Sequence, residues 1–493
     1  MRPYLVHFAQ FHADFRLAEI EALARLEGVT LQYDPAQYRS DNPFMVVYLE
    51  SNAAAAQLVH RAILVKEICE HWGSAETYEA LFAQLKTNPE RWEPYHTCSF
   101  RFEVKGFGGT LSLAEQIAII ERFSFLGFDG PIDLKNPKEQ FFVYEDYGID
   151  PTETNTTPHV IHFGRLVARS NRNIVQKFNL KKRKYLGNTS MDAELSLVMA
   201  NQALARPGTV IYDPFVGTGS FLLTCAHFGA LTMGSDIDGR QIRGSRTKTA
   251  GITDNVKQYG LDARVLDTLV FDICRNPWRH TPSRQPWFDA IVTDPPYGVR
   301  AGAKRLGRKT GLNPDISFRV IDGQLNHQRD DYYPPTIPYE MSEVLVDLLE
   351  FAARHLAKGG RLVYWLPTVV DEYTVEDVPL HPCLALVANS EQPFGSWSRR
   401  LITMEKVRDW EPTLSCHSPH FVPPPSQTAE SPASLPALAD TATGGAIYKP
   451  ASGGKNALPG HFNFREKYFY ARSHSPYVHA AGSTPPQRDS PPS

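Results

Sequence analysis

The chain has 493 residues, of which 42% are hydrophobic and 21% charged, with a net charge of -3 and a pI near 6.6. That balance is ordinary for a soluble globular protein of two or three domains, and it excludes a globally basic nucleic-acid binder, so any basic surface must be local. The six cysteines (Cys69, Cys98, Cys225, Cys274, Cys383, Cys416) are scattered without a CxxC pair, MRPYLVHFAQF lacks the pattern of a secretory signal, and no run nears the ~18 apolar residues of a membrane span. A cytoplasmic setting is expected, with no disulfide framework and no metal site.

In chain order, residues 1–155 read as a small α+β region without catalytic motifs. YLVHF is a strand candidate; Asp14 then suits a helix N-cap, Leu17, Ile20, Leu23 and Leu26 share one helical face, and Gly28 ends the helix. MVVYLES, SFRFEVKGFG and QFFVYEDYG are further strands, and LSLAEQIAIIERFSFLG is a second helix closed by Gly127. From 156 to 190 the composition turns basic and reads as an interdomain linker; Lys181, Lys182, Arg183 and Lys184 stand together beside Tyr185. Such a run is either a solvated face or a contact for nucleic-acid phosphates.

Residues 191–409 predict an α/β domain. TVIYD, LTMGSD, TLVFD, FDAIVTD and RLVYWLP are short apolar runs, four of them ending in Asp, and helix-like pieces such as SEVLVDLLEFAARHLAKGG lie between them. That alternation predicts a parallel sheet with helices on both faces. Residues 410–460 include a Pro/Ser/Ala/Thr-rich stretch expected to be a disordered insertion; 461–473 resume a short C-terminal element, FNFREKYFYAR, and 474–493 form a disordered tail.

Four constellations carry chemistry, each at the end of a strand candidate, where open parallel sheets bind ligands. The first is Asp213-Pro214-Phe215-Val216-Gly217-Thr218-Gly219-Ser220. Its glycines permit a sharp turn and close approach to a ligand, and Ser220 suits the cap of the next helix. The absent third glycine and the leading acid argue against a dinucleotide fingerprint; a plain strand–helix turn is the bland reading. In GSDID, Asp236 is the first choice to accept bonds from the two hydroxyls of a ribose, with Asp238 the alternative or simply an N-cap. Asp272, ending TLVFD, could accept from an adenine amine, although Asp is common turn chemistry. The fourth is IVTDPPYG: Asp294 and the Pro295 carbonyl offer two acceptors to an exocyclic amine, Pro296 stiffens the corner, and Tyr297 offers a flat face to an unstacked base.

DPFVGTGS, GSDID and DPPYG, in that order, resemble class I S-adenosylmethionine-dependent methyltransferases that act on amino groups. RKYLGNTSMDAELSLVMANQAL, DPPYGVRAGAKR, LVYWLPT and FGSWSRRLITMEK look like the eukaryotic tRNA guanosine-10 N2-methyltransferase family, densely over about 160–408. The resemblance implies a Rossmann-like methyltransferase domain behind an N-terminal ferredoxin-like module and THUMP domain that bind RNA. It implies that Asp213, Phe215, Gly217, Gly219, Asp236 or Asp238, and Asp272 hold S-adenosylmethionine, with Thr189 and Ser190 near its methionine end. It implies that Asp294, Pro295, Pro296 and Tyr297 serve the guanine N2. It also implies tRNA as substrate and a small zinc-binding activator subunit as partner. The phosphate-contact reading of Lys181, Lys182, Arg183 and Lys184 fits such a substrate. DPPY serves adenine amines equally well, so an N6-adenine methyltransferase is the second enzyme reading and a non-catalytic RNA-binding scaffold the third.

Overall fold

The structure is a computed structural model that describes residues 1–149, 157–187, 190–244, 250–279, 286–296, 303–307, 320–326, 329 and 332–414. The insertion, the C-terminal element and the tail expected beyond residue 414 lie outside the described residues.

The first unit is built on one six-stranded sheet. Its strands are β1 (Arg2–Phe8), β2 (Phe44–Leu49), β3 (Val65–Ala75), β4 (Phe100–Phe107), β5 (Glu139–Asp146) and β6 (Val160–Arg169), in the order β2-β1-β3-β6-β5-β4. All pairs are antiparallel except β4 with β5. Helices α1 (Arg16–Glu27), α2 (Asn52–Val59), α3 (Tyr78–Lys86) and α4 (Leu113–Glu121) accompany it. Ser51, Thr77 and Ser112 cap the last three through side-chain oxygens, and Gly28 ends α1 in the left-handed region. Ile20, Leu23, Val47 and Leu58 form one core, and Trp72, Leu81, Phe123 and Phe163 another.

The second unit holds α5 (Ile174–Lys177), α6 (Ala193–Gln202), β7 (Val210–Asp213), α7 (Ser220–His227), β8 (Leu231–Asp236), α8 (Gly239–Arg243), α9 (Ile252–Tyr259), β9 (Val265–Val270) and β10 (Phe288–Thr293). Two short ladders follow, β11 (Lys304–Leu306) with β14 (Thr336–Pro338) and β12 (Val320–Ile321) with β13 (Gln324–Leu325); then come α10 (Met341–His355), β15 (Leu356–Val369), β16 (Leu384–Pro393) and β17 (Trp397–Lys406). The seven-stranded sheet runs β16-β17-β15-β10-β7-β8-β9, parallel from β15 to β9, with β17 antiparallel to both β15 and β16. One face packs on α6, α7 and α9, the other on α10. Between β7 and β10 the strand order reverses, which creates the crevice in which such sheets bind ligands. The expected α/β architecture is therefore present, with an antiparallel hairpin added at one side.

The two units share a joint. Glu19 of α1 is fully buried and accepts from the amides of Ile63 (2.9 Å) and Leu64 (2.7 Å) and from Nδ2 of Asn201 in α6 (2.7 Å). Asn201 Oδ1 accepts from Arg61 Nε at 2.9 Å, and Arg61 donates again to the Ala205 carbonyl. Burial pushes the Glu19 pKa up, and the three donors oppose that shift. Phe15, Ile63 and Leu64 enter the same core as α6 and α7, and Arg25 pairs with Glu405 of β17.

Three sequence expectations change. The linker drawn from 156 is in part β6, an inner strand of the first sheet, so that unit reaches at least Arg169. Asp14 lies inside a 3-10 turn and does not cap α1; its carboxylate accepts from the Glu391 amide across the joint. β3, VKEICEHWGSA, was not expected as a strand. Its charged residues hide the apolar alternation because they are inward and paired, Glu67 with His7 and Lys105, and Glu70 with Arg165.

Glu19→Ala leaves two buried amides and Asn201 without an acceptor, at about 1–3 kcal/mol for each unsatisfied group. Thermal melting should show a lower first transition, and Glu19→Gln, which keeps one acceptor, should lie between the variant and the parent. An Ala variant that melts like the parent would mean that this joint does not hold the units together.

Candidate active site

The crevice is framed by the carboxyl ends of β7, β8 and β10. After Asp213, Val216 N bonds to the Ser235 carbonyl (2.8 Å) and Gly219 N to the Val216 carbonyl (2.7 Å), which folds residues 214–219 into a tight turn. Gly217 and Gly219 have φ of 48° and 80°. A Cβ on Gly219 would also press against Ile252 at 3.0 Å, so this position favours glycine twice over.

Asp213 is buried. Its Oδ1 accepts from the Thr293 hydroxyl (2.7 Å) and the Phe215 amide (3.1 Å), while its Oδ2 is buried without a partner among the described residues. Burial raises its pKa to about 8, with the charges of Asp236 and Asp294 adding to the rise. Asp236 receives the Gly217 amide (3.0 Å) and the Asp238 amide (2.9 Å), and burial raises its pKa to about 6. It thus ties the glycine turn to the end of β8. Asp238 caps α8 by accepting from the Arg240 amide and pairs with the Arg240 guanidinium at 2.8 Å, which favours the N-cap reading. Ser190 sits on the turn: its Oγ is 2.7 Å from the Thr218 hydroxyl and accepts from the Gly187 amide. Phe215 is half-buried against the α10 core.

Asp294 follows β10 directly, half-buried, with its Oδ2 3.9 Å from Nη1 of Arg399 on β17. Pro295 is buried and Pro296 half-buried. Thr189 and Tyr297 lie outside the described residues. The donor set fits a ligand that carries a cationic end and a diol: unpartnered carboxylate oxygen at Asp213, a second carboxylate at Asp236, and hydroxyls at Ser190 and Thr218 around open backbone.

One expected site residue gains a structural role, and two expectations are corrected. Asp272 accepts from the Cys274 amide at Oδ1 (3.0 Å) and from the Leu306 amide at Oδ2 (2.7 Å), which fastens β11 to the end of β9; like Asp236, whose two oxygens each take one amide, it keeps lone pairs for a further donor. Arg183 is buried, not presented to phosphates. It donates to Ser220 Oγ at 2.8 Å, while Tyr185 beside it is pinned by Asn255 and the Gln241 carbonyl. Lys181, Lys182 and Lys184 remain exposed. Ser220, the first residue of α7, does not cap its own helix; Gly219 occupies that place, and the hydroxyl serves Arg183 and the Met191 amide.

Arg399 was missed as a site residue. Its guanidinium lies over Trp365 (4.1 Å to the ring centre) and donates to Gln392 Oε1 at 2.8 Å. The stretch that contains it was noted, but only the β15–β17 pairing brings it beside Asp294.

Residues 2–172 match the family described as the Tmrp11 THUMP N-terminal domain, and residues 181–310 the RMKL-like methyltransferase domain. The tRNA (guanine(10)-N(2))-methyltransferase TRMT11 of Homo sapiens is 40% identical over 83% of this chain and 89% of its own length. The tRNA (guanine(10)-N(2))-methyltransferase of Schizosaccharomyces pombe is 36% identical over 95% of this chain and 96% of its own. That of Saccharomyces cerevisiae is 41% identical over 82% and 92%.

Asp236→Ala should weaken S-adenosylmethionine binding about ten- to a hundredfold, the loss of one or two charge-assisted hydrogen bonds. If the ionised acid holds the diol, affinity in the parent should also fall as pH drops through about 6, the pKa of Asp236, and Asp236→Asn should abolish that dependence. Calorimetric titration measures both; an unchanged Kd would move the role to Asp238.

Proposed function

This chain belongs to the tRNA (guanine(10)-N(2))-methyltransferase family, and we propose how its residues divide the work. The activity is transfer of a methyl group from S-adenosylmethionine to the exocyclic N2 of guanosine 10 in tRNA. The observation that carries the residue assignment is the suture at the switch point: Thr293, one residue before Asp294, donates to Asp213, so the amine-facing corner and the glycine turn sit side by side.

Bound in the crevice, the cofactor supplies an electrophilic methyl on a sulfonium. Asp213, Asp236, Ser190 and the backbone of 215–219 would hold it, and the unpartnered Oδ2 of Asp213 would supply an acceptor for its cationic portion. Asp294 and the Pro295 carbonyl accept the two N–H bonds of the guanine amine. That draws the nitrogen lone pair out of conjugation with the ring and aims it across the crevice. Asp294 stands where it can receive the departing proton. Tyr297 supplies a stacking face for the extruded base. The reaction forms no covalent enzyme intermediate.

The N-terminal unit grips the tRNA, and Lys181, Lys182 and Lys184 meet its phosphates between that grip and the crevice. The resemblance adds a small zinc-binding activator subunit. β9 supports a protein partner: it is an edge of the seven-stranded sheet, and Leu266 and Val270 on it are about half exposed (52% and 49%).

Mass analysis of nucleosides from tRNA incubated with the chain, S-adenosylmethionine and the activator should give N2-methylguanosine at position 10. Asp294→Ala should nearly abolish that product while cofactor affinity stays within a few fold; equal loss of both would reassign Asp294 to the cofactor. Replacing Lys181, Lys182 and Lys184 with Ala should weaken tRNA binding and flatten its salt dependence by up to about three phosphate contacts, with cofactor binding intact. An unchanged salt slope would leave these lysines as a solvated face.

A further inference from the structure

One aromatic pair, Phe394 exposed and Trp397 half-buried, is not used by the mechanism above. β15 runs parallel to β10, and Thr293, the last residue of β10, lies opposite Tyr364. β15 continues to Val369, paired all the way with β17 up to Trp397. At about 3.3 Å per residue, this wing stands roughly 16 Å beyond the catalytic edge of the sheet. Its crest is the turn between β16 and β17. Phe394 and Trp397 stack there with ring centres 4.5 Å apart and planes 17° apart, yet Phe394 is 43% exposed. Gly395 (φ 87°) makes the turn, and the Val370 amide donates to the Ser396 carbonyl to brace it.

The crest is wired to both halves of the enzyme. Arg399, on the same strand, lies 5.5 Å below the Phe394 ring and reaches Asp294 at 3.9 Å. On the other side Glu391, two residues before the end of β16, gives its amide to Asp14 of the N-terminal unit. The pair therefore stands between the unit that grips RNA and the corner that receives the base.

We propose that the Phe394–Trp397 pair is the platform on which the nucleotide next to the target guanosine stacks when the target base enters the crevice. Extruding one base removes a stacking partner from its neighbour, and a flat aromatic face can replace that partner whatever the base. The flatness of the pair, its rigid bracing and the guanidinium beneath it suit a base, whereas a turn that needed filling alone would bury its aromatic ring. This inference rests on the tRNA reading and adds a subsite to it.

The test uses the full-length chain with its activator and a tRNA carrying 2-aminopurine beside guanosine 10. The parent should quench the fluorophore on binding. Phe394→Ala and Phe394→Leu should both relieve the quenching and raise KM for tRNA about tenfold, leaving the Kd for S-adenosylmethionine unchanged. Phe394→Tyr should behave as the parent. The Leu variant keeps the turn filled, so its loss cannot be ascribed to unfolding. Quenching and KM unchanged in Ala and Leu variants alike would overturn the platform, as would a Tyr variant as defective as Leu. A parent that quenches but forms no N2-methylguanosine at position 10 would instead overturn the functional reading.

Discussion

The site depends on a single hydrogen bond between neighbouring strand ends, from the Thr293 hydroxyl to Asp213. β7 and β10 are far apart in the chain, and their ladder, Ala290 with Ile211 and Ile291 with Tyr212, stops short of the strand ends. The buried bond carries that alignment to the exits, from which the chain enters the glycine turn after Asp213 and the proline corner after Asp294. Every residue assigned to cofactor or base is held relative to these two exits.

The edge so formed is acidic. Asp213, Asp236 and Asp294 converge there, the first two with pKa values raised by burial, and Asp213 additionally by the charges of its neighbours. Concentrating carboxylates in a buried crevice is unfavourable on its own. It becomes favourable once a cation enters, which makes this edge better matched to a sulfonium-bearing ligand than to a phosphate-rich one. Arg399, whose guanidinium stands 3.9 Å from Asp294, is also held over the Trp365 ring.

Much of this was legible in the sequence because strand ends are local signals. A short apolar run that closes on Asp, followed by glycines or prolines, marks both the strand and its functional exit, and β7, β8 and β10 were found that way. β3 was not, because Glu67 and Glu70 look like surface residues until His7, Lys105 and Arg165 are seen against them. Arg183 was misread for a related reason: four adjacent cations look like one face, but a 3-10 turn ending at Lys182 rotates the next side chain inward. The tie from Asp272 to the Leu306 amide is equally hidden in the sequence, because the two are 34 residues apart. These concern polar groups whose partners are distant in sequence, which periodicity cannot reveal.

The buried contact between Glu19 and Asn201 has a consequence for substrate choice. A carboxylate that satisfies two amides and a side-chain amide inside a shared core leaves little play between the units it joins. Under the proposed division of labour, the span from the RNA-gripping unit to the crevice is then a fixed length. The enzyme would select its guanosine as a caliper does, by its distance from a distal feature of the tRNA, and the pocket would need to recognise only that the base arriving there carries an amine.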